Sequence, residues 1–231
     1  VISSLADDAA LRSVYLGDDG VAAGLSAGTV VADTSTVDPE TAFEVGQAID
    51  AAGGFFLDCP VSGSVSTVDA GALTVMVGGD PAHLPVVRQG FDPIAKTVLH
   101  VGARGAGAAS KLAVNGLVHG LNVALAEALV LAEKAGVERS TAYEVFASGA
   151  AAAPFVLYKR EAYEHPDEAT VAFTLDLVGK DLELITGLAE RVGAPMAQAN
   201  TDLGVVRSAI DAGLGGHDMS AVAVHLRGQE S

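Results

Sequence analysis

Cysteine is nearly absent from this chain: Cys59 stands alone among 231 residues. No intrachain disulfide can form, which excludes a small secreted scaffold stapled by bridges and fits a reducing, cytoplasmic setting. Basic residues are also scarce, with 13 Lys and Arg against 29 Asp and Glu and a formal charge of -16. With no basic run there is no footprint for a phosphodiester backbone, so nucleic acid is not an expected partner. Long apolar runs are missing too. The longest stretches free of charged residues, Leu112 to Ala126 and Val145 to Tyr158, fall short of the ~20 residues that cross a bilayer and are broken by Gly, Pro or Asn, so no membrane span is expected. The six histidines show neither H-x-H nor H-E-x-x-H spacing, which leaves no metal site to propose and predicts surface or single hydrogen-bonding roles. No signal peptide is visible, and the chain opens at Val1, without Met, in what reads as the end of a strand. Residues upstream of Val1 are therefore expected.

What is present is a folded chain. Half the residues are apolar and only 18% are charged, far from the composition of disordered proteins. At roughly 150 residues per domain the length allows one large domain or two small ones. The first hundred residues alternate β-branched runs with helical patterns, the order that builds a parallel sheet with helices on its faces. After the opening Val1–Leu5 fragment the strand candidates are Thr29–Asp33, Phe55–Cys59, Ala72–Val77 and Thr97–Val101. Asp38-Pro39-Glu40 predicts a helix to about Ala52: Asp38 caps, Pro39 fits the first helical position and Glu40 suits the positive end. Pro81 opens another helix in the same way. After Gly107 the text is helical, with Gly136, Gly149, Gly193 and Gly213 as stops. The stretch 101–107 reads as a flexible hinge, which divides the chain into 1–102 and an all-helical 103–231.

The most informative segment is the helix predicted from about Ala108 to Ala135. Its polar residues Lys111, Asn115, His119 and Asn122 are spaced four, four and three apart. At about 100° per residue they share one stripe, facing a cavity, a solvent-filled cleft or a packed polar network. A lysine there suits a general acid/base whose ammonium is destabilised by desolvation, with Asn115 one turn on to orient it or the substrate. A second constellation, Asp58-Cys59-Pro60-Val61-Ser62-Gly63-Ser64, reads as a strand end turning into a loop. Gly63, the loop N–H groups and two hydroxyls suit a small carboxylate, although an ordinary connection would read alike. Asp33-Thr34-Ser35-Thr36 ends another strand, where a hydroxyl could meet a cofactor or cap a helix. Lys180-Asp181, two turns after Phe173, reads by itself as a solvated helix face. Gly105-Ala106-Gly107-Ala108-Ala109-Ser110 nearly matches the dinucleotide fingerprint G-x-G-x-x-G, but it ends in Ser and lacks the following strand, so it is not read as one.

Taken in order, D-T-S-T-V-D-P at 33–39, D-C-P-V-S-G-S at 58–64, G-A-L-T-V-M-V-G-G at 71–79, G-A-G-A-A-S-K-L-A-V-N at 105–115 and K-D at 180–181 resemble the β-hydroxyacid dehydrogenase family. The resemblance runs from Val1 to about Asp211 and is closest to its 3-hydroxyisobutyrate dehydrogenase and semialdehyde reductase branch. It implies an α/β Rossmann-type sheet over 1–102 that binds NAD or NADP. It also implies an all-α domain over 103–231 for substrate closure and for assembly as a homodimer or homotetramer. Lys111 is similar to the family's catalytic lysine and Asn115 to its partner. Ser62, Gly63 and Ser64 match the substrate carboxylate loop, where the family usually has Ser-Gly-Gly, so Ser64 is expected to narrow that pocket. Leu5, Ala6 and Thr36 resemble nicotinamide contacts, and Phe173, Lys180 and Asp181 resemble residues that close on cofactor and substrate. A lysine at 111 also speaks against the imine reductases, which usually carry Asp or Tyr there. The expected substrate is a small carboxylate, a 3-hydroxy acid or its semialdehyde. Two alternatives stay open: a non-catalytic module, since the family's G-x-G-x-x-G is not in these residues, and a Ser62–Lys111 hydrolytic dyad.

Overall fold

The computed structural model describes residues 1–229, apart from the side chains of 65 and 66. It divides into two compact units, Val1–Val114 and Asn115–Ser231. The first holds β1 (Ile2–Ser3), α1 (Asp8–Leu16), α2 (Val21–Gly24), β2 (Val30–Asp33), α3 (Pro39–Ala51), β3 (Phe55–Asp58), β4 (Val61–Ser62), α4 (Val65–Asp69), β5 (Leu73–Gly78), α5 (Leu84–Phe91) and β6 (Ala95–Gly102). The helix α6 (Ala106–Lys134) crosses the division, and α7 (Arg139–Ser148), α8 (Pro154–Tyr158), α9 (Arg160–Glu164), α10 (Leu175–Val192), α11 (Ala197–Ala209) and α12 (Ala221–Gly228) follow.

In the first unit β1, β2 and β3 are parallel and lie in that order. The strands alternate faces with a period of two. Val31 and Phe56 therefore join Leu11, Tyr15, Val37, Val45 and Ile49 on one side, while Ala32 and Leu57 join Val75, Val77, Val87 and Phe91 on the other. A sheet covered on both faces needs near-continuous apolar strands, which is why these short runs were recognisable. Asp38 accepts from the Glu40 N–H at 2.9 Å and Pro39 takes the first helical position of α3, as the sequence predicts.

The sheet is not wholly parallel. β5 runs antiparallel to β3, pairing Asp58 with Gly78, and to β4, pairing Val61 with Val75 and Ser62 with Thr74, all in one register. Only β6 lies parallel to it. The segment read as a loop after Cys59 thus continues pairing as far as Ser62. Its extended course is set by β5, a partner that local spacing does not reveal.

The stretch 101–107 is also not a loose hinge. Asp58 is buried at the end of β3 and accepts from the Gly105 N–H at 2.9 Å and the Ala108 N–H at 2.8 Å. Ala108 is part of the core of the first unit. A Cβ at Gly107 would collide with the Asp58 carbonyl and stand 2.7 Å from that of Met76. The glycines here let a helix start against a sheet, which explains their likeness to a nucleotide fingerprint without that function.

In the second unit, Leu175, Val178, Leu182 and Ile185 form the buried stripe of α10, and Gly193 closes that helix in the left-handed region at φ 70. At 29 residues α6 is long and apolar enough to cross a membrane by length and composition, contrary to the expectation from charge-free stretches. Its polar stripe, however, is used inside the protein: Asn115, His119 and Asn122 are all buried.

Candidate active site

In the first unit the candidate cofactor residues lie at the carboxyl ends of β1 and β2. The loops that follow are stitched together. The Leu5 N–H donates to Ser35 Oγ at 2.8 Å, and the Thr34 N–H and hydroxyl both donate to the Ser3 carbonyl at 2.8 Å. Beneath them Ser3 and Ser35 donate their hydroxyls to buried Asp33, and Ser3 meets the Tyr15 hydroxyl at 2.6 Å. Burial raises the Asp33 carboxyl above its ordinary value, more than its bonds from Ser3 and Ser35 lower it. Leu5, Ala6 and Thr36 thus occupy two loops fixed to each other at the strand ends, where open α/β sheets hold ligands. The sequence marks Asp33 only as the start of Asp33-Thr34-Ser35-Thr36, since its role depends on Ser3, thirty residues away.

Ser62 pairs in β4, half-buried, and Gly63 follows at φ 144. A Cβ there would lie 2.6 Å from Leu73 Cδ2 and 2.8 Å from Thr67 Cγ2. Glycine is therefore required by the local fold as well as permitting close approach of a ligand. The Ser64 hydroxyl lies 3.1 Å from Thr67 Oγ1, and the Ser64 N–H donates to the same oxygen at 3.1 Å. The extra hydroxyl thus engages the start of α4. Lys111, half-buried, stands in the second turn of α6, just after the turn held by Asp58.

In the second unit, Asn115, one turn beyond Lys111, donates Nδ2–H to Asp181 Oδ2 at 2.5 Å. Asp181 is fully buried, so the solvated-face reading of Lys180-Asp181 does not hold: only Lys180 is partly exposed, and its Nζ lies 2.9 Å from Asp181 Oδ1. His119 is buried as well, and of the two roles predicted for the histidines, surface or single hydrogen-bonding, it takes the second. Its Nε2 faces Asp181 Oδ2 at 3.4 Å, and its ring stacks on Phe173 with centroids 6.0 Å apart. Burial pushes the Asp181 carboxyl up, but the His119 hydrogen bond and the Lys180 charge more than offset this and hold it below its ordinary value. Phe173, Asn115, Lys180 and Asp181 are thus brought together around His119, which the sequence places on the same stripe as Asn115 without assigning it a role. The stripe spacing held the signal for His119. Asn122 has a structural role: it donates to the Met219 carbonyl at 3.0 Å and accepts from Tyr163.

Two family models account for most of the chain. Residues 1–102 match the NAD-binding domain of 6-phosphogluconate dehydrogenase. Residues 105–226 match the NAD-binding model of NADP-dependent 3-hydroxyisobutyrate dehydrogenase. The chain belongs to the β-hydroxyacid dehydrogenase family. The curated relatives named below are a dehydrogenase and a reductase. The 2-(hydroxymethyl)glutarate dehydrogenase of Eubacterium barkeri is 33% identical over 96% of this chain and 74% of its own. Glyoxylate/succinic semialdehyde reductase 1 of Arabidopsis thaliana is 33% identical over 96% and 76%. Among solved structures, 3-hydroxyisobutyrate dehydrogenase from Salmonella typhimurium superposes with a TM-score of 0.90 at 30% identity, covering 96% of this chain and 78% of that one. The cofactor of this β-hydroxyacid dehydrogenase is therefore NAD or NADP. Leu5, Ala6 and Thr36 lie on the loops at the carboxyl ends of the parallel strands β1 and β2, the end at which open α/β sheets hold ligands. No G-x-G-x-x-G for the pyrophosphate occurs among the 231 residues.

Proposed function

We propose that this protein interconverts a short 3-hydroxy acid and its semialdehyde, with Lys111 as general acid/base. The bound nicotinamide supplies or accepts the hydride. The Lys111 ammonium gives its proton to the substrate carbonyl oxygen during reduction, and the free amine takes the hydroxyl proton during oxidation. Asn115, its amide nitrogen committed to Asp181, offers its carbonyl oxygen. Ser62, Gly63 and Ser64 bind the substrate carboxylate through N–H groups and the Ser62 hydroxyl. In the helical part Asp181 contacts substrate, and Phe173 and Lys180 contact cofactor. We assign cofactor binding to 1–102 and substrate closure and homo-oligomer assembly to 103–231, in the cytoplasm. Membership in an oxidoreductase family displaces the Ser62–Lys111 hydrolytic alternative.

The observation that carries this reading is the bracketing of Lys111 on α6, by the Asp58 clasp in the turn before it and by the Asn115–Asp181 bond in the turn after it. Both bonds fix the helix that aims the ammonium, and precise placement is what acid/base catalysis requires. Replacing Lys111 by Ala should lower kcat by a factor of ~10² or more, with an unchanged circular dichroism spectrum. Retention of more than a tenth of the wild-type kcat would remove Lys111 from the chemistry. Titration with NADH tests the cofactor part of this reading: a saturable fluorescence change is the expected result, and no change would overturn it.

A further inference from the structure

The polar stripe of α6 contains one group that the proposed chemistry leaves unused. His119 is almost completely buried, and burying an imidazole among apolar helices is unfavourable unless its nitrogens are engaged. Its Nε2 faces Asp181 Oδ2 at 3.4 Å, the same oxygen that receives the Asn115 amide at 2.5 Å. On the other side, His119 Nδ1 and Asp202 Oδ2 are both buried without a hydrogen-bond partner among the described residues. Asp202 belongs to α11, and its Oδ2 would stand 3.5 Å from a Cβ at Gly120, the neighbour of His119. The imidazole thus faces the buried Asp181 carboxylate, with a second buried carboxylate, Asp202, beside the neighbouring Gly120 and the Phe173 ring stacked on its face.

We propose that His119 is a positioning residue which, by keeping Asp181 an ionised acceptor, fixes the orientation of the Asn115 side-chain amide. An amide can present either a carbonyl oxygen or an NH₂ group to a ligand, and the two are opposite in hydrogen-bonding sense. A carboxylate accepts only. While Asp181 is ionised, the Asn115 NH₂ must face it and the Asn115 oxygen is the end left for a donor such as a substrate hydroxyl. A protonated Asp181 can instead donate, and the amide then loses its reason to stay in that orientation. The charge balance around Asp181 decides between these states. Lys180 faces it from its own helix and His119 from α6, while Asp202, itself raised above its ordinary value by burial, faces the histidine from α11, with Glu127 of α6 adding to its negative surroundings. Removing the imidazole takes away one of the groups that face the buried carboxylate and leaves Lys180, which is partly exposed, against the desolvation penalty.

The proposal rests on Asn115 serving the reaction, but its test does not. In the cofactor-free full chain, ¹³C NMR of the Asp181 carboxyl and ¹⁵N–¹H spectra of the Asn115 NH₂ report the two groups directly, for wild type, His119→Leu and His119→Gln. Leu removes the donor at similar volume, and Gln restores an N–H near the position of Nε2. The expected result is a titration of Asp181 below the ordinary carboxylate range in wild type, an upward shift in His119→Leu, and recovery in His119→Gln. The Asn115 NH₂ signals should move with the Asp181 titration in each protein. An Asp181 titration unchanged in His119→Leu, in a protein that still melts cooperatively, would overturn the proposal. So would an equal shift in the Leu and Gln variants, which would mean that ring packing, not the hydrogen bond, is what matters. Should Lys111→Ala remain active while these NMR shifts appear, the catalytic assignment fails and the positioning role of His119 stands.

Discussion

Asp218 and Lys159 meet in the interior of the helical unit, where an ion pair lasts only if every remaining lone pair is used. Lys159 Nζ lies 2.9 and 2.8 Å from the two Asp218 oxygens, and both residues are buried. The carboxylate also accepts from the Ala172 N–H at 3.1 Å and the Ser220 N–H at 3.1 Å, tying the segment that carries Phe173 to the start of α12. Burial raises the Asp218 carboxyl, and the Lys159 bond together with these N–H groups lowers it further, to a net value below the ordinary one. Replacing Lys159 by Met should cost about 3–5 kcal/mol in urea unfolding, because the carboxylate is left buried without its cation. Adding Asp218→Leu should not recover that loss, since the backbone donors of Ala172, Phe173 and Ser220 are then orphaned. Recovery in the double variant would show that the pair acts as a simple charge couple.

Among the elements, α6 shows most clearly how two motifs become one device. The Asp58 of D-C-P-V-S-G-S and the Gly105 and Ala108 N–H groups of G-A-G-A-A-S-K are joined by hydrogen bonds spanning 47 and 50 residues of sequence. A carboxylate at a helix N-terminus receives otherwise unpaired N–H groups and faces the positive end of the helix. Here the helix so held carries Lys111 in its second turn. Asp58→Ala should lower stability by about 1–2 kcal/mol, as other lost N-caps do, and should lower kcat as well by loosening that turn. Asp58→Asn keeps one acceptor and should lose less of both. Chemical denaturation and steady-state kinetics on the two variants check this. A normal kcat in Asp58→Ala would show that the clasp does not aim the lysine.

Over the whole molecule the buried carboxylates divide by unit. Asp33 and Asp58 in the sheet unit are raised by burial, which hydroxyl and N–H donors do not offset. Such groups favour folding below their unfolded value, near 4, and that contribution is lost as pH rises through the folded one. Asp181 and Asp218 in the helical unit are lowered, so their contribution is complete above an unfolded value near 4 and is lost as pH falls through the folded one. Asp202 opposes this trend within its unit. Acidification from pH 7 to below pH 4 should therefore weaken the helical unit first. Hydrogen exchange followed by mass spectrometry, corrected for intrinsic rates, should show α10 losing protection at a higher pH than β2 and β3. The reverse order would mean that other groups dominate acid unfolding.

Local chemistry determined much of this protein from sequence alone. Short, mainly apolar runs marked the main strands, because a sheet covered on both faces favours apolar side chains at successive positions. The Asp38-Pro39 cap, the glycine stops and the helical stripe were legible because each depends on neighbours within a turn or two. Lys111, Asn115, Phe173, Lys180 and Asp181 were identified from spacing and resemblance. Only the tertiary structure decided what those residues touch. The antiparallel placement of β5, the pairing of Ser62 with Thr74, the Asp58 clasp and the His119–Asp181–Asn115 cluster all join residues far apart in sequence. A periodic pattern can say that His119 and Asp181 each lie on a particular face of a helix. It cannot say that the two faces meet, because that depends on how the chain between them folds back.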